Sequence, residues 1–277
     1  MMTTRKTALV TAVVLLAALP VWADEDPAVT QQFQGFHLEG YGDGGKKAWD
    51  VTGDTADVKG STVSITNVDA NSYTGREANI KSKTGSINQA TGDVELKKDV
   101  VITTKEGSRL QTDTLRWAKD KDLITTQDPV KVTDKNMVAT GQGLTAHPSL
   151  NTAQMNKDVT VNMTSVDKKT GKPEKLVITS DGPMILNQKK HKATFKENVV
   201  AIYEGRTLKA DKVDVYVQPE TEDLQRIVCV GNVTITQGEN TSLSDKAIYN
   251  AADQTMTLTG RPKLILITEG KGKIDSL

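Results

Sequence analysis

Apolar and polar residues alternate along most of this chain, and short polar turns separate the alternating stretches. The stretch 227–250, IVCVGNVTITQGENTSLSDKAIYN, alternates, breaks at a polar turn and then alternates again. A period of two is typical of β-strands with one buried face, and short turns connect antiparallel neighbours. The pattern therefore predicts an all-β protein whose consecutive strands form hairpins.

The alternating stretches also repeat, with a period of about 30 residues. Each repeat contains an Asp or Asn followed by β-branched residues, and we interpret this pattern as the entry of a strand. The occurrences, the last of them a weak copy, begin at Asp99, Asp128, Asp158, Asn198, Asn232 and Arg261. A polar segment in the longest interval, SVDKKTGKPEK (165–175), is interpreted as an insertion or linker. A repeat of this length suits two antiparallel strands of about ten residues each, which predicts a β-meander.

The alternation slips by one residue inside the repeats. Leu208 and Ala210 have one parity, whereas Val213 and Val215 have the other. Because side chains of a strand alternate between two faces, both halves can face inward only if the strand bends at Asp211. The same slip occurs around Asp113. Strands that bend at the same place predict elongated antiparallel β-jelly-roll or meander repeats that form a bent, two-walled groove with an apolar interior.

The N-terminus has the features of an export signal. Arg5 and Lys6 precede an apolar run at 8–19, and the small residue Ala23 follows. A run of about 12 apolar residues fits a signal peptide and is too short to span a bilayer. We expect residues 1–23 to be a signal peptide that is cleaved after Ala23, which would place the protein in the periplasm. An uncleaved inner-membrane anchor is the alternative.

Composition and candidate chemistry exclude several classes of function. The 35 basic and 35 acidic residues balance, which argues against nucleic acid as the main partner. Cys229 is the only cysteine, so an internal disulfide and a cysteine zinc site are excluded. The three histidines share no spacing typical of metal ligands or of a catalytic triad. They are His37, His147 and His191. We therefore expect neither a cofactor nor a metal nor an enzymatic activity.

The recurring acidic residues do not change this expectation. Asp113, Asp211 and Asp245 occupy the same bend position in successive repeats. Asp at such a position commonly accepts hydrogen bonds from the backbone, so we interpret these residues as structural.

Two parts of the chain resemble proteins of lipopolysaccharide export. The stretch 178–217, ITSDGPMILNQKKHKATFKENVVAIYEGRTLKADKVDVYV, and the stretch 231–262 after it resemble OstA/LptA-type proteins. The stretches GYGDGGKKAWDVTGDTADV (40–58) and GSRLQTDTLRWAKDKDLITTQDPVKVT (107–133) resemble the partner family, LptC. The likeness implies an LptC-like jelly roll at 24–164 that is joined to an OstA/LptA-like jelly roll at 176–277.

This resemblance implies that the apolar interior carries the acyl chains of lipid A across the periplasm. Following the parity of the strands, the expected groove-lining residues are Leu96, Val100, Ile102, Leu115, Trp117, Val130, Val132, Phe195, Val199, Ala201, Tyr203, Ile227, Cys229, Val233, Ile235, Met256 and Leu258. Two other functions stay open. One is a structural or adhesive secreted β-repeat protein with a packed core and no lipid, and the other is a carbohydrate-active enzyme, which would need clustered carboxylates.

The last repeat also predicts an interface. Its apolar run consists of Leu264, Ile265, Leu266 and Ile267, and it would form an unprotected edge strand. We expect the jelly-roll domain of an outer-membrane assembly protein, or another copy of this chain in head-to-tail association, to pair with it. At the opposite end, a strand around 49–58 is expected to meet inner-membrane components of the export transporter.

Overall fold

The computed structural model describes residues 31–73, 77–166, 173–203, 205–219 and 224–267. The expected signal peptide lies outside the described residues. Seventeen strands form one sheet, and short 3-10 turns lie at 43–45, 119–121, 148–150 and 188–190. The strands are β1 (Gln31–Tyr41), β2 (Lys47–Lys59), β3 (Thr62–Ser72), β4 (Ala78–Asn88), β5 (Val94–Thr104), β6 (Arg109–Ala118), β7 (Leu123–Asp134), β8 (Met137–His147), β9 (Thr152–Val166), β10 (Pro173–Ser180), β11 (Met184–Asn187), β12 (Lys192–Tyr203), β13 (Arg206–Val217), β14 (Leu224–Gln237), β15 (Asn240–Asn250), β16 (Thr255–Thr259) and β17 (Lys263–Ile265).

The sheet is an antiparallel meander, as the alternating pattern predicts. Each strand from β1 to β9 pairs with the next one along the chain. Strands β10 and β11 occupy one position, because both pair with β9 on one side and with β12 on the other. The meander continues to β15, which pairs with both β16 and β17.

Most strands bend near their middle, and the bends lie beside one another in the sheet. Register shifts occur between Lys209 and Lys212 in the β13–β14 pair and between Gln111 and Arg116 in the β6–β7 pair. These shifts confirm the bends expected at Asp211 and Asp113. The bends fold the sheet into two walls.

The Asp and Asn residues of the repeat lie at these bends, so their interpretation as strand entries was wrong. Asp99, Asn198 and Asn232 have positive φ angles of 53°, 50° and 46° in the middle of their strands. Asn and Asp adopt this left-handed conformation more readily than most residues. The Asn232 amide also donates a 2.9 Å hydrogen bond to the Asp211 carboxylate on the neighbouring strand.

The described ends of the segment 165–175 pair with each other and so join the two halves of the chain. Val166 at the end of β9 pairs with Pro173 at the start of β10. The largest hydrophobic cluster extends across this pair of strands, from Val130 and Ala139 on one side to Val233 and Ala247 on the other. The two halves therefore share one sheet and one core.

The N-terminal edge differs from the sequence expectation. β1 pairs with β2 from Gln31 opposite Val58 to Tyr41 opposite Lys47. The strand around 49–58 is therefore an inner strand of the sheet, and β1 forms the edge in the described part of the chain. The C-terminal edge consists of β16 and β17.

Candidate functional site

The interior of the bent sheet is covered by the sheet itself. The described residues contain 3-10 turns but no α-helix that could cover a sheet face. Val100 and Val199 at the bends are nevertheless 0% exposed. Only the opposite half of the same strands can cover them, because the meander has no second sheet. The two walls therefore face each other across an apolar interior.

Around the largest hydrophobic cluster, burial decreases from the bends toward the hairpin turns at the ends of the strands. Val130 and Val233, next to the bends, are 2% and 1% exposed. Val132, Ala201 and Ile235 lie on the same inner face but farther from the bends, and they are only half-buried. This part of the interior is thus closed along the bends and more open along the rims, as in a groove with a mouth between two rows of hairpins. In the N-terminal half, Val94 and Trp117 stay buried at the ends of their strands.

The structure brings nearly all of the expected lining residues together. The cluster of the N-terminal half contains Leu96, Val100, Ile102, Leu115 and Trp117. The largest cluster contains or packs against Val130, Val132, Phe195, Val199, Ala201, Ile227, Cys229, Val233, Ile235 and Leu258. Tyr203 and Met256 lie outside both clusters. Tyr203 is half-buried at the end of β12, and Met256 is 45% exposed on the edge strand β16.

Several interior residues were not selected from the sequence. Val63, Ile65 and Val68 form a third cluster with Trp49. Met155, Val159 and Val161 of β9 are 1–2% exposed in the centre of the largest cluster. Their alternation with polar residues, interrupted once at the bend, was the signal that could have identified them.

The two carboxylates that are most buried in the described part of the chain lie on the outer face. Asp50 alternates with the inward Trp49 and Val51, and Asp214 alternates with Val213 and Val215. The polar side chains that are buried on the inner face near the bends are uncharged. They are Ser82, Thr112, Thr126, Ser180 and Ser244. An interior of this kind suits hydrocarbon chains and excludes charged groups, which would lose their hydration.

The buried carboxylate of Asp214 is fully partnered. It accepts hydrogen bonds from Thr194 Oγ1 at 2.7 Å and forms ion pairs with Lys192 Nζ and Lys212 Nζ, both at 3.0 Å. Burial alone raises the pKa of Asp214, but these donors outweigh it and hold the pKa below its ordinary value. The network stabilises the outer face of wall strands β12 and β13.

A second polar network lies on the outer face near the N-terminal edge. Lys47 Nζ contacts Glu39 at 2.8 Å and Asp50 at 2.6 Å. Asp50 also accepts hydrogen bonds from Asn71 and Tyr73, each at 2.8 Å. The hydrogen bond from Lys47, assisted by others, lowers the pKa of Glu39 to about 2. This network connects β1, β2 and β3 and gives the N-terminal edge a polar outer surface.

The remaining candidate chemistry is sparse. Burial raises the pKa of the Cys229 thiol to about 12, so the thiol is protonated at neutral pH. His37 hydrogen-bonds Glu39 at 2.9 Å on the surface. Within the described ranges, no group of three or more His, Cys, Asp or Glu side chains is placed to hold a metal ion. The same ranges contain no helix that is long and apolar enough to cross a membrane.

The C-terminal edge exposes its apolar run. Leu264, Leu266 and Ile267 are 62%, 58% and 55% exposed, and Ile265 is 37% exposed. Ile265 pairs with Thr241 of β15 on one side only. Leu264 lies opposite Ser242, which shares the inner face, so within residues 31–267 the inner face is exposed at this end.

A bent antiparallel sheet with an uncharged apolar interior is the class of fold that can bind hydrocarbon chains between its walls. A family model described as "Lipopolysaccharide-assembly, LptC-related" matches residues 23–164, which is more than half of the chain. The chain therefore belongs to the LptC-related family of lipopolysaccharide-assembly proteins. A second model, described as "LptA/(LptD N-terminal domain) LPS transport protein", matches residues 177–275. A search of curated proteins found no match to the chain.

The two matches confirm the expected order of an LptC-like half followed by an OstA/LptA-like half. Both families are periplasmic bridge proteins of lipopolysaccharide transport, and they are transport proteins and not enzymes. The chain is accordingly a component of the periplasmic bridge that carries lipopolysaccharide to the outer membrane.

Proposed function

We propose that the chain holds the acyl chains of lipopolysaccharide between its two walls, along a path that runs through both halves. The observation that carries this proposal is the largest apolar cluster, which continues from the LptC-like half into the LptA-like half across β9 and β10. Leu110 packs against both this cluster and the cluster of Trp117. A continuous lining allows a lipid to move from one half to the other without exposing its chains to water.

The energetics favour chains inside and the headgroup outside. Burial of each CH₂ group contributes about 0.8 kcal/mol, so several long chains provide a large driving force. Among the described residues, the polar side chains buried on the inner face near the bends are uncharged, so a phosphate would find no ionic partner there and its burial would be costly. The half-buried rim residues, such as Val132 and Ile235, leave the mouth as the place where the headgroup remains in water.

Site-specific photo-crosslinking tests this arrangement. Ile235 and Thr234 are adjacent and both half-buried, but Ile235 faces the interior and Thr234 faces outward. A photoreactive residue at Ile235 should capture lipopolysaccharide in cells, whereas one at Thr234 should not. Equal capture at both positions would contradict the inward assignment. An absence of capture at Ile235 and Phe195 would instead favour a structural β-repeat protein with a packed core.

The two edges are the proposed partner surfaces. The exposed run 264–267 would pair with the jelly-roll domain of an outer-membrane assembly protein, or with another copy of this chain. The β1 edge would meet the inner-membrane transporter components.

Proline substitutions test the two edges, because proline removes a backbone donor and weakens the pairing of an added strand. Ile265→Pro should therefore impair only the outer-membrane contact, and Gln34→Pro in β1 only the inner-membrane contact. If the chain associates head to tail with itself, both variants should impair that association. If both variants assemble normally with their partners, pairing at these edges is excluded.

We further propose that the chain is exported and cleaved after Ala23, as the small residue before Asp24 indicates. The intact mass of the native protein tests the cleavage. A mass that includes residues 1–23 in a membrane fraction would identify an anchored protein.

A further inference from the structure

Unpaired polar atoms in the interior indicate which part of the lipid the groove recognises. Among the described residues, three buried side-chain atoms have no hydrogen-bond partner, namely Thr104 Oγ1, Trp117 Nε1 and Ser244 Oγ. Buried polar groups are normally paired, and each exception needs an explanation. Trp117 is only 6% exposed, so its indole N–H is shielded from bulk solvent.

Two of these atoms lie at the two rims of the groove. Trp117 pairs with Val94, the first residue of β5, and Thr104 is the last residue of the same strand. The bend at Asp99 lies between them, so the two residues belong to opposite walls. Thr104 shares a face with Ile102, which packs in the same cluster as Trp117. Ser244 differs, because it lies beside the bend of β15 and not at a rim.

The rim is the depth at which a bound lipid changes from hydrocarbon to headgroup. If acyl chains fill the space toward the bends, the ester and amide links that join them to the sugar lie at the rim. Carbonyl oxygens in these links are acceptors that need donors once they leave water. A tryptophan indole can only donate, and a threonine hydroxyl can donate as well.

We infer that Trp117 and Thr104 bind the ester or amide carbonyl oxygens of the acyl chains, one from each wall. This inference rests on the proposed function, because it requires acyl chains in the groove. The unpaired indole N–H destabilises the lipid-free protein, and a lipid carbonyl would provide its missing acceptor. The pair would thus fix the depth of the lipid while allowing the chains to slide along the apolar lining.

The indole N–H resonance of Trp117 tests the inference directly. In ¹⁵N-labelled protein, titration with purified lipopolysaccharide should move the Trp117 indole proton downfield, as expected for a new hydrogen bond. Trp49 is the matched control, because it is also buried but its indole nitrogen is not among the unpaired atoms. Its resonance should shift less. The variants Trp117→Phe and Trp49→Phe assign the two signals.

Affinity measurements separate this inference from the proposed function. Loss of one hydrogen bond corresponds to up to about a tenfold rise in Kd. We expect this rise for Trp117→Phe and for Thr104→Val. We expect none for Thr103→Val, because Thr103 alternates with Thr104 along β5 and faces outward. Wild-type binding with an unmoved Trp117 resonance would overturn the inference and leave the proposed function intact. No binding of lipopolysaccharide by the wild type would overturn the proposed function and this inference with it.

Discussion

A charge placed in the wall of the groove should be far more harmful than the same charge one residue away. Val233 is 1% exposed beside the bend of β14, whereas its neighbour Thr234 faces outward and lies opposite Lys209. We compare Val233→Asp with Thr234→Asp. The pair adds the same carboxylate to the same strand and differs only in the face that receives it.

The expected magnitude can be worked out from burial. Removing the buried valine side chain costs about 2 kcal/mol. The new carboxyl group must stay protonated in the interior, and protonating a group whose ordinary pKa is about 3.9 costs about 4 kcal/mol at pH 7. The sum, about 6 kcal/mol, is comparable to the whole stability of many domains. Thr234→Asp should change the stability by about 0.5 kcal/mol or less, because the side chain reaches water near Lys209.

The pH dependence provides a signature that a simple packing defect lacks. A buried Asp has a folded-state pKa above its unfolded value, so its penalty is small below the unfolded pKa and grows as the pH rises. The difference in urea midpoint between Val233→Asp and Thr234→Asp should therefore narrow from pH 7 toward pH 4. If the two variants have equal urea midpoints at pH 7, or if the difference between their midpoints does not change with pH, the inward assignment of Val233 is wrong.

Three further predictions concern single side chains. Asp214→Asn should weaken the loss of stability at low pH. The lowered pKa of Asp214 stabilises the folded protein at pH values above the ordinary pKa of Asp, and this stabilisation is lost as the pH falls through the pKa of Asp214 in the folded state. Urea midpoints from pH 7 to pH 2 measure the difference between the variant and the wild type. Cys229 should react with a thiol reagent at neutral pH only on unfolding, because burial raises its pKa to about 12; fast labelling of the folded protein would contradict its burial. Gly231→Ala should destabilise the protein by about 1–3 kcal/mol, since Gly231 has φ of 81° and a Cβ there would collide with the Asp211 carboxylate. Gly238→Ala is the control, because Gly238 also has a positive φ but has open space around it. The difference between the two variants in thermal unfolding measures the cost of the collision.

Alternation alone predicted the strands, their antiparallel order and the inward faces. The parity slip at Asp211 was visible in the sequence because Ala210 and Val213 are both apolar. The role of Asn232 was not visible, since Asn is common both at strand entries and at left-handed bends. Only its hydrogen bond to Asp211 on the preceding strand distinguishes the two. The edge strand β1 was missed because Gly35, at φ of 59°, interrupts its alternation.

The site was predictable in the interior and less so at the ends. Val199 and Phe195 have neighbours on both sides in the sheet, so their parity determined their burial. Met256 has the correct parity, but it lies on the last strands of the meander, where few neighbouring strands remain to cover a side chain. The partnerless state of Trp117 Nε1 was not accessible from the sequence, because hydrogen bonding depends on distances between residues that are remote along the chain.

The continuity of the sheet across β9 and β10 has a consequence for how the bridge assembles. Where two separate proteins meet edge to edge, each junction is an equilibrium that depends on protein concentration. Here one junction is covalent, so its occupancy is complete at any expression level and the ratio of the two halves is fixed at one to one. With about 4.8 Å between strands, the meander spans about 70 Å along the sheet. A single molecule thus provides a long section of the conduit that cannot come apart at its centre, and only the two outer edges remain subject to dilution.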